Sequence, residues 1–150
     1  MQLSDVTFFD AQLSWLLRLL LAGLLGALLG WERERSHRPA GLRTYILVTV
    51  GSALFTIVSI YGFVDLVPGA TVDPGRVAAQ IVTGIGFLGA GTVLRQEHAV
   101  QGLTTAAGIW LAAAVGMTAA TGMYAVSIFA TLLAFVALTG LRRFETHTDM

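Results

Sequence analysis

Arg18 is the residue whose chemistry most needs explaining, because it interrupts the run Trp15-Leu16-Leu17-Arg18-Leu19-Leu20-Leu21. It lies about two turns into the first apolar stretch, roughly 10 Å from its start at 1.5 Å per residue. An ionised group at that depth is costly and turns toward the interior of a bundle. Gln80 and Thr83, at comparable height on the third apolar stretch, offer an amide and a hydroxyl that accept hydrogen bonds without a buried carboxylate. Arg18, Gln80 and Thr83 are therefore expected to form one polar intramembrane cluster that fixes the first helix against the third.

The remaining candidate chemistry is weaker. Gly84-Ile85-Gly86-Phe87-Leu88-Gly89 has the letters of a dinucleotide fingerprint, but that motif works only as a turn between a strand and a helix, and here it continues an apolar run. Gly84, Gly86, Gly89 and Gly91 instead read as positions where other helices approach closely. Asp73-Pro74-Gly75-Arg76 is a helix start, with Asp73 as the cap and Pro74 at the first helical position. Glu32, Arg33, Glu34, Arg38 and Arg43 crowd the first connection as a charged interaction surface. His37, His98 and His147 have no ligand-like spacing, and there is no Cys, so neither a metal site, a cofactor nor a catalytic nucleophile is expected.

The elements that must position these groups follow from composition. Of 150 residues 55% are hydrophobic and 12% charged, about half the charge of a soluble domain. The formal net charge is zero, which gives nucleic-acid binding no electrostatic footing. A span needs about 20 mostly apolar residues, since lipid cannot satisfy free backbone groups. Five stretches approach this, at Ala11 to Trp31, Leu42 to Tyr61, Arg76 to Leu94, Leu103 to Ala120 and Met123 to Leu141. The expected fold is an all-α integral-membrane bundle of five helices, with a four-span reading as the alternative. Residues 1–10 form an external segment, 11–141 the transmembrane domain and 142–150 a cytoplasmic tail.

Arg33, Arg35, Arg38, Arg43, Arg95, Arg142 and Arg143 all fall on one side of this frame. The positive-inside rule makes that side cytoplasmic and places the N-terminus outside. Trp15, Tyr61 and Tyr124 then mark the outer interface, Trp31 and Tyr45 the inner one, and Trp110 is left for the bundle interior. Small residues recur at four-residue spacing in Ala22, Gly26 and Gly30, and again in Gly108, Ala112, Gly116 and Ala120. Such stripes hold helices together by close van der Waals contact, within the chain or, as the alternative, in a homodimer. At an offset of 61, Gly23, Gly30, His37, Gly41, Leu42 and Thr44 align on Gly84, Gly91, His98, Gly102, Leu103 and Thr105. A parallel duplication and the abundance of Gly and Leu both account for this.

Together these motifs resemble the MgtC/SapB family of bacterial inner-membrane proteins. The resemblance rests on Leu29-Gly30-Trp31-Glu32-Arg33-Glu34, Arg38-Pro39-Ala40-Gly41-Leu42-Arg43-Thr44, Asp73-Pro74 and Arg76-Val77-Ala78-Ala79-Gln80-Ile81-Val82. It extends through Gly84 to Gly91 and through Gly102-Leu103-Thr104-Thr105-Ala106-Ala107 ahead of Trp110. It implies a polytopic, virulence-related family linked to growth in low magnesium. It also implies action on other membrane machinery, including the proton-translocating ATP synthase, with Mg²⁺ or ion transport as the alternative. Longer relatives add a soluble cytoplasmic domain after the last span, so the chain reads as a short form. No span carries Asp or Glu in its apolar interior, whereas Mg²⁺ prefers hard carboxylate and water ligands.

Overall fold

The computed structural model describes residues 3–63, 73–96 and 99–145, with backbone alone for 3–9, 94–96, 99 and 141–145. Asp65, His98, His147 and residues 146–150 of the expected tail lie outside the described residues, as do the side chains of Arg95, Arg142 and Arg143. Five helices form an all-α membrane bundle: α1 (Leu3–Arg35), α2 (Leu42–Tyr61), α3 (Arg76–Gly91), α4 (Leu103–Ala120) and α5 (Tyr124–Glu145). Within the described residues α1, α2 and α4 are long and apolar enough to cross a membrane. α3 has 16 residues, rising only about 24 Å. Its expected continuation to Leu94 is a small antiparallel hairpin instead, β1 (Leu94–Gln96) paired with β2 (Ala99–Gln101).

Local chemistry explains where each helix ends. α1 closes with His37 in the left-handed region at φ 53°. Arg38 N–H donates to Arg33 O and His37 N–H to Glu34 O, the paired bonds of a Schellman cap. The chain re-enters α2 at once, where the Leu42 N–H donates to Glu34 Oε2 at 2.8 Å, so a carboxylate sits at a helix N-terminus. α4 ends in the same way, with Gly122 at φ 82°, Met123 N–H on Thr118 O and Gly122 N–H on Ala119 O. This three-residue connection, Thr121 to Met123, sets α4 and α5 antiparallel. Before α4, Gly102 sits at φ 92° with the Thr92 carbonyl where a Cβ would be, and no other residue type fits there. Leu42 and Leu103, which the 61-residue offset aligns, are both first residues of helices preceded by glycine.

α4 is the hub, packing against α1, α2, α3 and α5, while α1 and α2 share the most extensive contact. The small-residue stripes of α1 and α4 are buried. What they meet is a seam on α2 at 4-3-4-3 spacing, Tyr45, Thr49, Ser52, Thr56 and Ser59, all buried. Gly26 faces Thr49 and the Tyr45 carbonyl, Gly30 faces Leu42, Gly108 faces the Tyr45 hydroxyl and Gly116 faces the Thr49 carbonyl. Thr49 and Thr56 donate back to Tyr45 O and Ser52 O of their own helix, which lets hydroxyls be buried without partners across the interface. Tyr45 is thus fully buried instead of standing in the inner aromatic belt. Trp110, expected inside, is 53% exposed. It lies two residues from Gly108 and Ala112, about 200° around α4 from the buried stripe.

Candidate functional site

Arg18 does not join helix three. Its Nη1 donates to Ala120 O at 2.6 Å, and its guanidinium lies over Gly122. Ala120 is the last residue of α4, so its carbonyl is among those a helix cannot satisfy internally. The guanidinium also sits at the negative end of the helix dipole, which stabilises a cation without any carboxylate. The depth expectation fails because α1 begins at Leu3 and runs past the ends of its neighbours. Trp15 stacks on Tyr61, the last residue of α2, at 5.2 Å, and Arg18 is level with the last turn of α4. Gln80 and Thr83 are exposed on α3. Arg18 Nε is buried without a hydrogen-bond partner, as is the Tyr45 hydroxyl.

The same end of the bundle holds the start of α3. Asp73 Oδ1 accepts the Gly75 N–H at 2.8 Å, and its carbonyl accepts the Arg76 N–H. Gly75, not Asp73, stands at the cap position, and Arg76, not Pro74, is the first helical residue, while Ser59 satisfies the start of the helix from α2. Its hydroxyl donates to Pro74 O at 2.6 Å and accepts from Val77 N and Ala78 N. Ser59 closes the 4-3-4-3 seam of α2, so its burial was readable from spacing, but its partner was not.

At the opposite, Arg-rich end, the expected charged surface divides in two. Glu32 and Arg33 are 6% and 3% exposed and form a buried ion pair, with Arg33 Nε on Glu32 Oε2 at 2.6 Å. The Arg33 Nη2 donates to Glu32 Oε1 at 3.3 Å and the Ser36 hydroxyl to the same oxygen at 2.8 Å. They are buried because the stripe Ala22, Gly26, Gly30 continues one helical step to Arg33. Glu34, Arg35, Arg38 and Arg43 are exposed, Glu34 as the α2 cap described above and Arg35 over the Trp31 ring at 5.9 Å. Among the described residues no three carboxylate or imidazole side chains come together.

Three of the four glycines of α3, Gly84, Gly86 and Gly91, are exposed. Only Ala78, Ile81, Ile85 and Gly89 of this helix are buried, with Gly89 3.6 Å from Ala106. Gly84, Gly86 and Gly91 have no other atom within 4 Å of a Cβ position. The fingerprint-like run therefore lies wholly inside a helix. Between α2 and α3 an apolar groove of about 600 Å³ is lined by Leu47, Gly51, Phe55, Gln80, Gly84 and Leu88, among others.

The fold defines a multi-pass helical membrane protein. It belongs to the MgtC family, whose model matches residues 19–147. The chain is 45% identical over 83% of its length to YhiD of Escherichia coli strain K12, covering 59% of that protein, whose given name proposes a magnesium transporter. It is 51% identical over 64% of its length to protein MgtC of Salmonella typhimurium strain LT2, covering 38% of it. The protein slr0014 of Synechocystis is 44% identical over 89% of this chain and 55% of its own. The chain thus spans well under two thirds of the length of these relatives. No solved structure matches it significantly.

Proposed function

We propose that this protein is a non-enzymatic regulator of the bacterial inner membrane, which binds another membrane component during adaptation to low magnesium. Its N-terminus lies outside and its Arg-rich end faces the cytoplasm, the orientation favoured by the excess of Arg. The observation that supports regulation over transport is the close packing of α1 and α4 on α2. The glycines of α1 and α4 bring backbone against the hydroxyl seam of α2, leaving the function to the perimeter. Among the described residues the carboxylates at the Arg-rich end are engaged, Glu32 by Arg33 and Ser36 and Glu34 by the α2 N-terminus.

Arg38 and Arg43 are exposed there, and the proton-translocating ATP synthase implied by the family resemblance is the partner to test first. Arg38→Gln with Arg43→Gln is expected to change stability by less than about 0.5 kcal/mol, as exposed substitutions do. The variant should accumulate normally, yet lose growth in low magnesium and lose co-purification of the synthase. Normal growth and unchanged co-purification would refute the assignment of this surface. The second reading, a Mg²⁺ transporter, is favoured by the name of the Escherichia coli relative. It would require ligands from a second subunit or from an unwound α3, and α3 is continuous from Arg76 to Gly91.

A further inference from the structure

The outer face of α3 carries polar groups left exposed within this chain. Gln80 is exposed four residues below the start of the helix, and Arg76 and Asp73 are exposed at that start. Among the described residues Arg76 has no ion-pair partner, and Asp73 uses only Oδ1 within the chain. Arg76, Gln80, Gly84, Phe87 and Gly91 follow at separations of 4, 4, 3 and 4, so they form one face of the helix. Phe87 is 81% exposed on it, beside the groove between α2 and α3.

We infer that this face binds a second copy of the same chain, α3 against α3, about a two-fold axis along the membrane normal. The chemistry of the face is self-complementary in the way an isologous contact requires. Two copies in one orientation set Gln80 against Gln80, and an amide is both donor and acceptor, so each satisfies the other. The same operation brings Asp73 of one copy toward Arg76 of the other, pairing opposite charges at the helix start. Gly84 and Gly91 allow the backbones to approach, and Phe87 of each copy enters the groove of the other beside Gly51. Gly84 and Gly91, which sequence assigned to helix packing, thus find their neighbour outside the chain. This pairing is independent of what the Arg-rich end binds.

The chain has no cysteine, so a single introduced thiol reports its own neighbour. Gly84→Cys fits without a clash and should give predominantly disulfide-linked homodimer when native membranes holding the full chain are oxidised. Leu20→Cys, on the exposed face of α1, should stay monomeric. Adding Gln80→Leu to Gly84→Cys should lower dimer formation on lipid dilution roughly three- to tenfold, the size of an interhelical hydrogen bond. If Gly84→Cys fails to accumulate, Gly91→Cys on the same face gives the readout. A thiol on this face that stays monomeric, that links to a different protein, or that crosslinks no better than Leu20→Cys overturns the pairing.

Discussion

Glu32→Ala is expected to destabilise the bundle by about 3–5 kcal/mol, because it strands a buried guanidinium. Arg33 is 3% exposed, and the Glu32 carboxylate takes both of its hydrogen bonds. The loss exceeds the net worth of the ion pair, since two charges taken out of water repay much of their desolvation only to each other. Arg33→Ala added to Glu32→Ala should therefore recover part of the stability, a coupling that a double-mutant cycle measures directly. Thermal unfolding in detergent of the two single variants and the double variant is the check. A Glu32→Ala protein as stable as the parent would show that the pair is hydrated and not part of the core.

Gly116→Ala should cost about 3 kcal/mol, at the upper end for overpacking a well-filled interior. Its new Cβ would overlap the Thr49 carbonyl of α2 and lie 3.1 Å from the Ser52 Cβ. Backbone cannot rotate aside as a flexible side chain does, so α2 and α4 must separate, and dispersion across that contact is what holds helices together in lipid. Gly84→Ala serves as the control. It meets no atom within 4 Å and should leave the unfolding of the single chain unchanged to within about 0.5 kcal/mol. Equal melting of the two variants would contradict the packing of α4 on α2.

How much of this was legible in sequence depended on whether the signal was local. Apolar length gave the helices, glycine spacing gave the buried stripes of α1 and α4, and Thr121-Gly122 gave the tight turn into α5. The 4-3-4-3 hydroxyl seam of α2 was equally readable and would have placed Tyr45 inside. The hairpin after α3 was not, because two strands of three residues carry no measurable period and Val93-Leu94 prolongs the apolar run. Arg18 shows the other limit. Its depth was counted along its own helix, but its environment is set by where α2 and α4 end, which no residue near Arg18 encodes. The division of Glu32 and Arg33 from Glu34 and Arg35 followed from extending the α1 stripe past Trp31, where alternating charge suggested a solvated end.

The α3 glycines carry the same lesson in reverse. Sequence placed them at helix contacts, and within one chain only Gly89 is buried and lies beside another helix, near Ala106. Gln80, expected beside Arg18, lines the α2–α3 groove instead. Its exposure one turn into α3 is what the proposed pairing of α3 with a second copy would satisfy.

The most direct test of the closed bundle is Mg²⁺ entry into liposomes reconstituted with the purified full chain, followed with a trapped Mg²⁺ indicator. The filled contact between the α1 and α4 stripes and the α2 seam predicts entry no faster than in protein-free liposomes, at any membrane potential applied. Entry that is saturable, scales with protein content and disappears in a folded Arg18→Ala variant would contradict the regulator and establish the transporter.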